Sequence, residues 1–344
     1  MRASSLQSAA VNPSGIPKQR EGNVGRIFVT GGSGFIGTNL IESYLQDGWE
    51  VMNFDWVLPQ NAQHKGLLKN GDIRHGEILS AAIRDFRPEL VVHLAARTDL
   101  DGANLQEYDA NTVGVQNMIE AIRGSGTVKR AVFASSRYVH RTEVFPLRDD
   151  DYSPFTLYGE SKVATEKLVR SSKLEIPWTL IRPTSIWGPW FRIPYRMFFD
   201  TVRRGVYVHP NGKKISKSYG YVGNVVYQIR QLLSVEPSRI NKRTFYVSDD
   251  RNMDVLEFAQ AIQQAFGAPK VRQVPMSVLR VLAYAGDTLK KMGVSNPPLT
   301  SFRLRNLLTP MNYDMSATRE VAGPAPYSLH KGVRETVDWI LRHG

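Results

Sequence analysis

Apolar and polar positions follow two rhythms along the first half of the chain, and together they predict alternating strands and helices. Residues 26–30 form a short β-rich run, whereas residues 35–46 carry apolar side chains at helical spacing. The same succession recurs downstream. Further strands are predicted at 50–54, 90–94, 131–134 and 178–181, and further helices at 78–86, 111–123 and 161–171. Strands that alternate with helices predict an α/β fold with a doubly wound parallel sheet covered on both faces.

The rhythm becomes less regular after about residue 188, where prolines and aromatic residues are frequent. A strand is still predicted at 243–247 and a helix at 255–266, so part of this region, about 215–260, is expected to return to the sheet. The remainder is expected to be mainly helical. The predicted organisation is therefore a flexible leader (1–22), a sheet domain (23–188) and a smaller C-terminal lobe (189–344).

Composition narrows the class of protein. The length of 344 residues corresponds to about two domains. Hydrophobic residues at 42% and charged residues at 22% exclude a disordered, collagen-like or multi-span membrane chain. Because the chain has no cysteine, disulfides, thiolate metal sites and cysteine nucleophiles are excluded. The seven histidines show no ligand spacing, so no metal site is predicted.

The formal net charge of +12 favours anionic partners, although the basic residues are scattered. No helix-turn-helix or RNA-binding motif is present, so specific nucleic-acid binding is not expected. Residues 1–22 contain no apolar block of the length of a signal peptide or a membrane span. These features predict a cytoplasmic enzyme without a membrane span.

The most apolar later stretch, residues 276–292, has helical spacing and is interrupted by Arg280, Asp287, Lys290 and Lys291. One interpretation is a surface helix of the smaller lobe. The other is a basic amphipathic helix that makes peripheral contact with a membrane or with a partner.

The segment TGGSGFIG at 30–37 lies between a predicted strand and a predicted helix. Gly31, Gly34 and Gly37 permit a tight turn, close approach of backbone N–H groups to a pyrophosphate, and close packing of the helix. Asp55 ends the second strand, 18 positions after Gly37, where a carboxylate accepts hydrogen bonds from both hydroxyls of a ribose. A carboxylate there repels a 2′-phosphate, so the pattern favours NAD over NADP.

A second set of residues points to proton transfer. The segment YGESK at 158–162 places Tyr158 and Lys162 four residues apart, on one side of a helix. The ammonium group is expected to stabilise the phenolate and to lower the pKa of Tyr158 toward neutrality. Ser135 and Ser136 end the preceding strand. A tyrosine that loses its proton near neutral pH is a general base for an alcohol that is being oxidised.

These residues resemble the extended short-chain dehydrogenases/reductases, the group of NAD-dependent nucleotide-sugar epimerases and dehydratases. The resemblance extends from about Gly25 to the C-terminus. It implies a Rossmann-type sheet with a smaller C-terminal substrate-binding lobe, and a homodimer formed by the two helices that flank the tyrosine. The motifs that carry it are the glycine turn, Asp55, Asp72-Ile73, His93-Leu94-Ala95-Ala96, Asn111 with Gly114 and Asn117, Ser135-Ser136 and YGESK.

The resemblance also implies residue roles. Tyr158 is expected to be the catalytic base, Lys162 its pKa partner and a ribose ligand, and Ser136 the hydroxyl that binds the reacting oxygen. The implied NAD contacts are Gly31, Gly34, Phe35, Ile36, Gly37, Asp55, Asp72, Ile73, Leu94, Ala95, Ala96, Asn111, Ser135, Tyr158, Lys162 and Pro183. The implied substrate contacts are Thr98, Ser136, Arg137, Ser185, Trp187 and Lys217.

The chain departs from the family pattern on the substrate side. Arg137-Tyr138 follows Ser136 where the dehydratase branch has an Asp-Glu pair, and this argues against 4,6-dehydration because no carboxylate is present to run the elimination. Lys217 and Asn224 stand where the family has Arg and Asp, and Ser185 replaces an Asn. Lys217 can meet a diphosphate only as a point charge, without bidentate geometry.

The leading hypothesis is an NAD-dependent epimerase of a nucleoside-diphosphate sugar, in which Tyr158 takes a proton from a sugar hydroxyl and a transient ketone forms. The alternative within enzymes is an NAD-dependent dehydrogenase or reductase of a non-nucleotide alcohol, as in the hydroxysteroid or sterol branch. A catalytically idle NAD-sensing protein is a third possibility, against which the intact Ser136, Tyr158 and Lys162 set speaks.

Overall fold

The computed structural model describes residues 24–141, 148–192, 195–294, 297 and 299–343, so the predicted leader lies outside the described residues. The strands are β1 (Arg26–Thr30), β2 (Glu50–Asp55), β3 (Leu68–Asn70), β4 (Leu90–His93), β5 (Arg130–Ala134), β6 (Trp178–Pro183), β7 (Ser185–Trp187), β8 (Val208–Pro210), β9 (Ser216–Lys217), β10 (Tyr219–Tyr221), β11 (Arg243–Val247), β12 (Met253–Asp254) and β13 (Arg272–Val274). The helices are α1 (Phe35–Gln46), α2 (Gly76–Phe86), α3 (Val113–Arg123), α4 (Leu157–Ser171), α5 (Tyr195–Arg203), α6 (Val222–Ser234), α7 (Val255–Phe266), α8 (Met276–Lys291), α9 (Ser301–Leu308), α10 (Ser316–Ala322) and α11 (Leu329–His343).

Seven strands form one parallel sheet in the order β3-β2-β1-β4-β5-β6-β11. The strand order reverses between β1 and β4, where Thr30 pairs with His93. In doubly wound folds ligands bind outside the carboxyl ends of the strands at this switch point. The predicted α/β class with a doubly wound parallel sheet is confirmed. A ligand-binding site is therefore expected at the carboxyl ends of β1 and β4.

Helices cover both faces of this sheet, which explains why its strands are almost continuously apolar. On one face the core joins β1 to α1, α6, α7 and α11, so that Ile27 and Val29 lie in the same hydrophobic cluster as Val333 and Ile340. On the other face, α2 and α3 pack against β1, β4 and β5. The C-terminal helix therefore belongs to the same core as the first strand.

Later parts of the chain are interleaved with the sheet. Strand β11 pairs with β6 at the sheet edge, and α6 packs against α1. Short strand pairs β7–β10, β8–β13 and β9–β12 lie beyond the carboxyl end of β6. Helices α8 and α9 pack on each other around a separate small cluster of Leu279, Ala283 and Leu304. None of the helices in the described part of the chain has the length and apolar character needed to cross a bilayer.

Most predicted elements are present, and three helix starts differ, that of α2 by two residues. Helix α4 begins at Leu157 instead of 161, because the side chain of Thr156 accepts the N–H of Gly159 at 3.0 Å and caps the first turn. Helix α3 begins at Val113, after a 3₁₀ turn at Leu105–Asn111 that the apolar spacing does not distinguish from α-helix. The first shift matters for function because it places Tyr158 inside the helix.

Candidate active site

The glycine turn connects β1 to α1 at the switch point. Gly31 has a φ of +70°, and a Cβ atom there would lie 2.6 Å from the backbone nitrogen of Ala95. A Cβ atom at Gly37 would collide with the carbonyl oxygen of Gly31. Both positions therefore require glycine, and the loop that follows β4 can lie directly against the turn.

The N-terminus of α1 is open toward the carboxyl edge of the sheet. Gly34 is its N-cap and offers no side-chain acceptor, so the first-turn residues Phe35, Ile36 and Gly37 present their N–H groups without a side-chain cap. Uncapped N–H groups at the positive end of a helix dipole bind phosphate oxygens. The cradle thus fits the pyrophosphate of a dinucleotide.

Asp55 ends β2 beside this turn. Its two carboxylate oxygens accept the N–H groups of Ser33 at 3.0 Å and Val57 at 3.1 Å, which fixes the carboxylate against the glycine turn. Burial raises the pKa of Asp55, while these backbone hydrogen bonds lower it. The nearby Arg74 lies over the ring of Trp56, but its guanidinium is paired with Asp72 and a second carboxylate, that of Asp109. Arg74 is therefore engaged, and Asp55 presents negative charge, as expected for a ribose that carries no 2′-phosphate.

The segment after β3 is held in place by α3. Asn117 donates from Nδ2 to the carbonyl oxygens of Ile73 at 2.9 Å and Arg74 at 2.8 Å, and the side chain of Ile73 is buried against Gly114. The carboxylate of Asp72 forms an ion pair with Arg74 at 2.6 Å. Asn117 therefore positions the 72–73 segment, where the resemblance implies an adenine contact.

The loop that follows β4 completes the cofactor side. The N–H of Ala95 donates to the hydroxyl of Thr30 at 3.3 Å, and residues 94–96 are half-buried next to the glycine turn. Asn111 accepts the N–H of Arg97 and donates to its carbonyl and to Ser161. Both N–H donors of its amide are thus used, so Asn111 ties this loop to α4 and has no spare donor for a cofactor. Thr98 is exposed farther along the loop.

The proposed proton-transfer residues lie together at the ends of β5 and in α4. Tyr158 and Ser136 are both buried, and the Ser136 hydroxyl lies close enough to the phenol of Tyr158 to favour its ionised form. Burial raises the pKa of Tyr158 to about 12, while Ser136 and the charge of Arg137 lower it. The sequence-based expectation of a near-neutral tyrosine is therefore wrong for the protein alone, because desolvation of the phenolate outweighs these contributions.

Lys162 lies one helical turn beyond Tyr158 and is 3% exposed. Its ammonium donates to the carbonyl oxygen of Ala134 at 3.0 Å, and burial lowers its pKa to about 8. The groups that perturb Tyr158 most include Arg137 and do not include Lys162. The position of Lys162 nevertheless points its charge toward the carboxyl end of β5, where the cofactor cradle meets the catalytic pair.

A buried network lies behind the serines. The carboxylate of Glu166 is inaccessible to solvent and accepts hydrogen bonds from Ser135 at 2.6 Å, from Arg182 at 2.7 and 2.8 Å, and from Tyr152 at 3.0 Å. Burial alone would raise the pKa of Glu166, but hydrogen bonds and charge from Arg182 lower it below its ordinary value. Arg182 also donates to His140 at 3.0 Å. Ser135, implied as a cofactor contact, thus anchors the end of β5.

The substrate side of the catalytic pair is cationic and aromatic. The guanidinium of Arg137 lies 4.2 Å from the ring centroid of Tyr138. Burial alone would lower the pKa of Arg137, but Tyr138, Tyr313 and Tyr195 hold it above its ordinary value. Ser185 is buried nearby and interacts with Tyr195. Pro183 is half-buried at the end of β6.

Two implied substrate contacts are corrected. Trp187 has no exposed surface and packs against Phe199, Tyr221 and Phe258, so it is part of the hydrophobic core. The ammonium of Lys217 donates to the carbonyl oxygens of residues 306 and 309 at 2.7 and 2.8 Å, at the end of α9. Lys217 therefore commits two of its three N–H groups to bracing α9, and it lies near enough to Arg137 for the two charges to interact.

Residues 27–233, more than half of the chain, match the family described as the NAD dependent epimerase/dehydratase family. The chain belongs to this family. Its homologues and structural neighbours are epimerases and dehydrogenases of the extended short-chain dehydrogenase type. The chain is therefore an enzyme of this type, and NAD is its cofactor.

The names of the similar proteins describe two kinds of reaction, dehydrogenation and epimerisation. A 3-beta-hydroxysteroid dehydrogenase of Mycolicibacterium neoaurum is 28% identical, over 88% of this chain and 88% of its own length. An N-acetyl-alpha-D-glucosaminyl-diphospho-ditrans,octacis-undecaprenol 4-epimerase of Escherichia coli O157:H7 is 27% identical, over 92% and 96%. The UDP-glucose 4-epimerase of Thermotoga maritima, solved with UDP-glucose, has a TM-score of 0.70 and 21% identity, over 92% and 99%.

The family motifs in the sequence did not predict the buried network of Glu166 and Arg182. Glu166 lies four residues after Lys162 in the sequence, and Arg182 interrupts an otherwise apolar strand. A charged residue in a strand that is buried on both faces requires a buried partner, and this was the signal available. The sequence alone could not show that Glu166 is that partner, because the two residues meet only through the packing of α4 on β6.

Asp55 offers a direct test of cofactor selectivity. We expect Asp55→Asn to lower the preference for NAD over NADP by about ten-fold or more, because the change removes the charge that repels a 2′-phosphate while keeping an acceptor for the backbone N–H groups. Calorimetric titration with both cofactors measures the ratio of dissociation constants. Asp85→Asn, on the exposed last turn of α2, is the matched control. An unchanged ratio in Asp55→Asn would remove Asp55 from the cofactor site.

Proposed function

We propose that this enzyme is an NAD-dependent epimerase that acts on a sugar carried by a nucleoside diphosphate. The observation that supports it most is the buried pair of Tyr158 and Ser136, which lies with Lys162 at the carboxyl end of β5, next to the switch point. Such a pair can hold one alcohol oxygen and take its proton. The relatives named as sugar epimerases act on sugars attached to a diphosphate.

In the proposed reaction Ser136 orients the sugar hydroxyl and Tyr158 accepts its proton. NAD, when bound, accepts a hydride and returns it, and contributes positive charge beside the tyrosine. Arg137 adds positive charge near the phenolate, and a low-dielectric site strengthens this effect. Ser136 then holds the oxygen of the transient ketone. The ketone must rotate in the site so that the hydride returns to its opposite face. Tyr158 finally returns the proton, and the carbon centre is inverted.

Dehydration of the sugar is not proposed. Elimination of water needs an acid and a base beside the catalytic hydroxyl, and the two residues after Ser136 supply a guanidinium and a phenol. The half-buried Arg137, over the ring of Tyr138, occupies this place.

A second candidate is an NAD-dependent dehydrogenase of a non-nucleotide alcohol of the hydroxysteroid or sterol kind. It is favoured by the 28% identity to the hydroxysteroid dehydrogenase and by the aromatic wall that Tyr138, Tyr195 and Tyr313 form around Arg137. The commitment of two N–H groups of Lys217 to carbonyl groups at the end of α9 points in the same direction, because it leaves fewer donors for a diphosphate. The homodimer and the cytoplasmic location implied above stay predictions.

Native mass spectrometry of the purified enzyme, followed by mild denaturation, separates the two candidates. We expect NAD together with a nucleoside diphosphate or its sugar, and added nucleotide sugars that bind and are epimerised. The control is Arg84→Gln, an exposed charge on α2, which should retain the same ligands. NAD without affinity for any nucleotide sugar, combined with turnover of a hydroxysteroid, would contradict the epimerase proposal and support the dehydrogenase.

A further inference from the structure

Helix α8 is apolar on more than one side. Leu279, Ala283 and Gly286 are buried against α9 and the segment that precedes it. A second row at three- and four-residue spacing is exposed to solvent. Its members are Val278, Val281, Leu282, Leu289 and Met292, with 42 to 76% of their surface exposed. In a folded domain such an apolar row normally packs against another element or another molecule. No described residue buries this side of α8.

The exposed apolar surface of the enzyme is concentrated there. Among the described residues, eight of the twenty exposed large hydrophobic side chains lie between 278 and 302, including Tyr284 at 74% and Phe302 at 65%. Single exposed hydrophobic residues are ordinary on protein surfaces, whereas a contiguous group marks an interaction site. We call this surface, formed by α8 and α9, the α8–α9 face.

The charge of the α8–α9 face is strongly one-sided. Residues 276–309 contain five basic residues and a single acidic one, Asp287. The carboxylate of Asp287 is engaged with the N–H of Ser301 at 3.1 Å, where it caps the start of α9. Arg280, Lys290 and Lys291 are exposed next to the apolar row. The face is therefore apolar with a basic margin.

A groove of about 510 Å³ lies between α8 and α9. Arg280 and Arg305 line it together with Ala283, Leu304 and Leu308. Guanidinium groups bind phosphate oxygens, and the apolar residues beside them accept hydrocarbon. This combination matches the headgroup and the first carbons of an anionic phospholipid.

Charge decides between the occupants that could cover this face. Residues 1–23 of the same chain are mostly polar and carry Arg2, Lys18 and Arg20 against one acid, Glu21, so they would meet like charge. A second copy packed on the same face would also bring basic margins together, which is unfavourable. An anionic surface complements both the margin and the formal net charge of +12.

We propose that the α8–α9 face docks the enzyme on anionic phospholipid bilayers, with α8 lying in the plane of the interface. An amphipathic helix with a basic margin binds in this way without crossing the membrane. The end of α9 holds the ammonium of Lys217, whose charge interacts with that of Arg137, so Lys217 links the docked face to the substrate side. The proposal does not depend on which alcohol the enzyme oxidises.

The test is sedimentation of the full-length enzyme with lipid vesicles. We expect binding to vesicles of phosphatidylcholine with phosphatidylglycerol and little binding to phosphatidylcholine alone. Combined Arg280→Gln, Lys290→Gln and Lys291→Gln should weaken binding on the order of 100-fold, because each basic residue near an anionic leaflet contributes about five-fold. Val281→Gln with Leu289→Gln should weaken it about ten-fold or more by removing the apolar contact.

Matched controls carry the same kinds of change elsewhere on the surface. Val206→Gln with Leu341→Gln removes two exposed apolar side chains, and Lys65→Gln with Arg334→Gln removes exposed charge. All variants should keep the melting temperature and turnover of soluble substrate, because the changed side chains are exposed. Absence of vesicle binding, or binding that the α8 changes leave intact, would overturn the proposal. A self-associated enzyme that dissociates when Val281 and Leu289 are changed would assign the face to a second copy instead.

Discussion

Replacing Tyr158 with phenylalanine is expected to lower turnover by roughly 10³-fold or more while the enzyme folds and binds NAD as before. The hydroxyl is the proton acceptor of the proposed reaction, and its loss removes the ionisable group beside Ser136 that takes this proton. The ring itself remains packed against Tyr138 and Tyr108, so the fold loses only one buried hydroxyl. Steady-state kinetics and calorimetric titration with NAD measure the two quantities separately.

The matched control is Tyr227→Phe on α6, which also removes a tyrosine hydroxyl from a single acceptor, the carbonyl oxygen of Ala322 at 2.8 Å. It should cost about 1 kcal/mol of stability and leave turnover unchanged. Near-normal turnover in Tyr158→Phe would remove Tyr158 from the chemistry whichever alcohol proves to be the substrate. A loss of NAD binding in this variant would instead show that the phenol serves the cofactor.

Glu166→Gln is expected to lower the free energy of unfolding by about 3–5 kcal/mol, because it leaves the guanidinium of Arg182 buried without its counter-charge. Gln also cannot accept from Ser135, Arg182 and Tyr152 at once with the full strength of a carboxylate. Urea denaturation followed by tryptophan fluorescence measures the change. Glu120→Gln, in the exposed pair of Glu120 with Arg123, should cost at most about 1 kcal/mol.

The effect of Glu166→Gln should depend on pH in a definite direction. The pKa of Glu166 is lower in the folded protein than its ordinary value of 4.5, so the stabilisation is complete above that value and is lost as the pH falls through the folded-state pKa. The difference between the variant and the unaltered enzyme should therefore shrink in acid. A difference no larger than that of Glu120→Gln at neutral pH would show that the buried network contributes little to stability.

The bounds of strands and helices were predictable from the sequence where a single apolar pattern determines them. The strand at 26–30 and the helices at 35–46 and 255–266 appear with the predicted bounds, because each is a single apolar pattern between clear breaks. The glycine turn likewise has the backbone shape that its residues require, with Gly31 at a positive φ. Helix α4 starts earlier than predicted because a threonine cap outweighs the weak apolar spacing of its first turn.

The roles of side chains were harder to predict, because they depend on distant partners. Lys217 appears in the sequence as a free cation and in the structure as a brace for α9, through carbonyl groups almost ninety residues away. Trp187 is a substrate contact by its position in the family pattern, yet β7 turns its ring into the core. The pKa of Tyr158 depends on how deeply the ring is buried, which no spacing of residues reveals.

The sharing of one hydrophobic core between β1 and α11 has a consequence for biosynthesis. A ribosome that adds about 5–20 residues per second finishes β6 roughly 10 to 30 s before α11 has been made. At the start of that interval one face of the nascent sheet lacks α6, α7 and α11, and β6 is an unpaired edge until β11 is made. Because α11 is the last of these elements, the core closes only when it emerges, and premature stop codons anywhere before α11 yield chains with an open core.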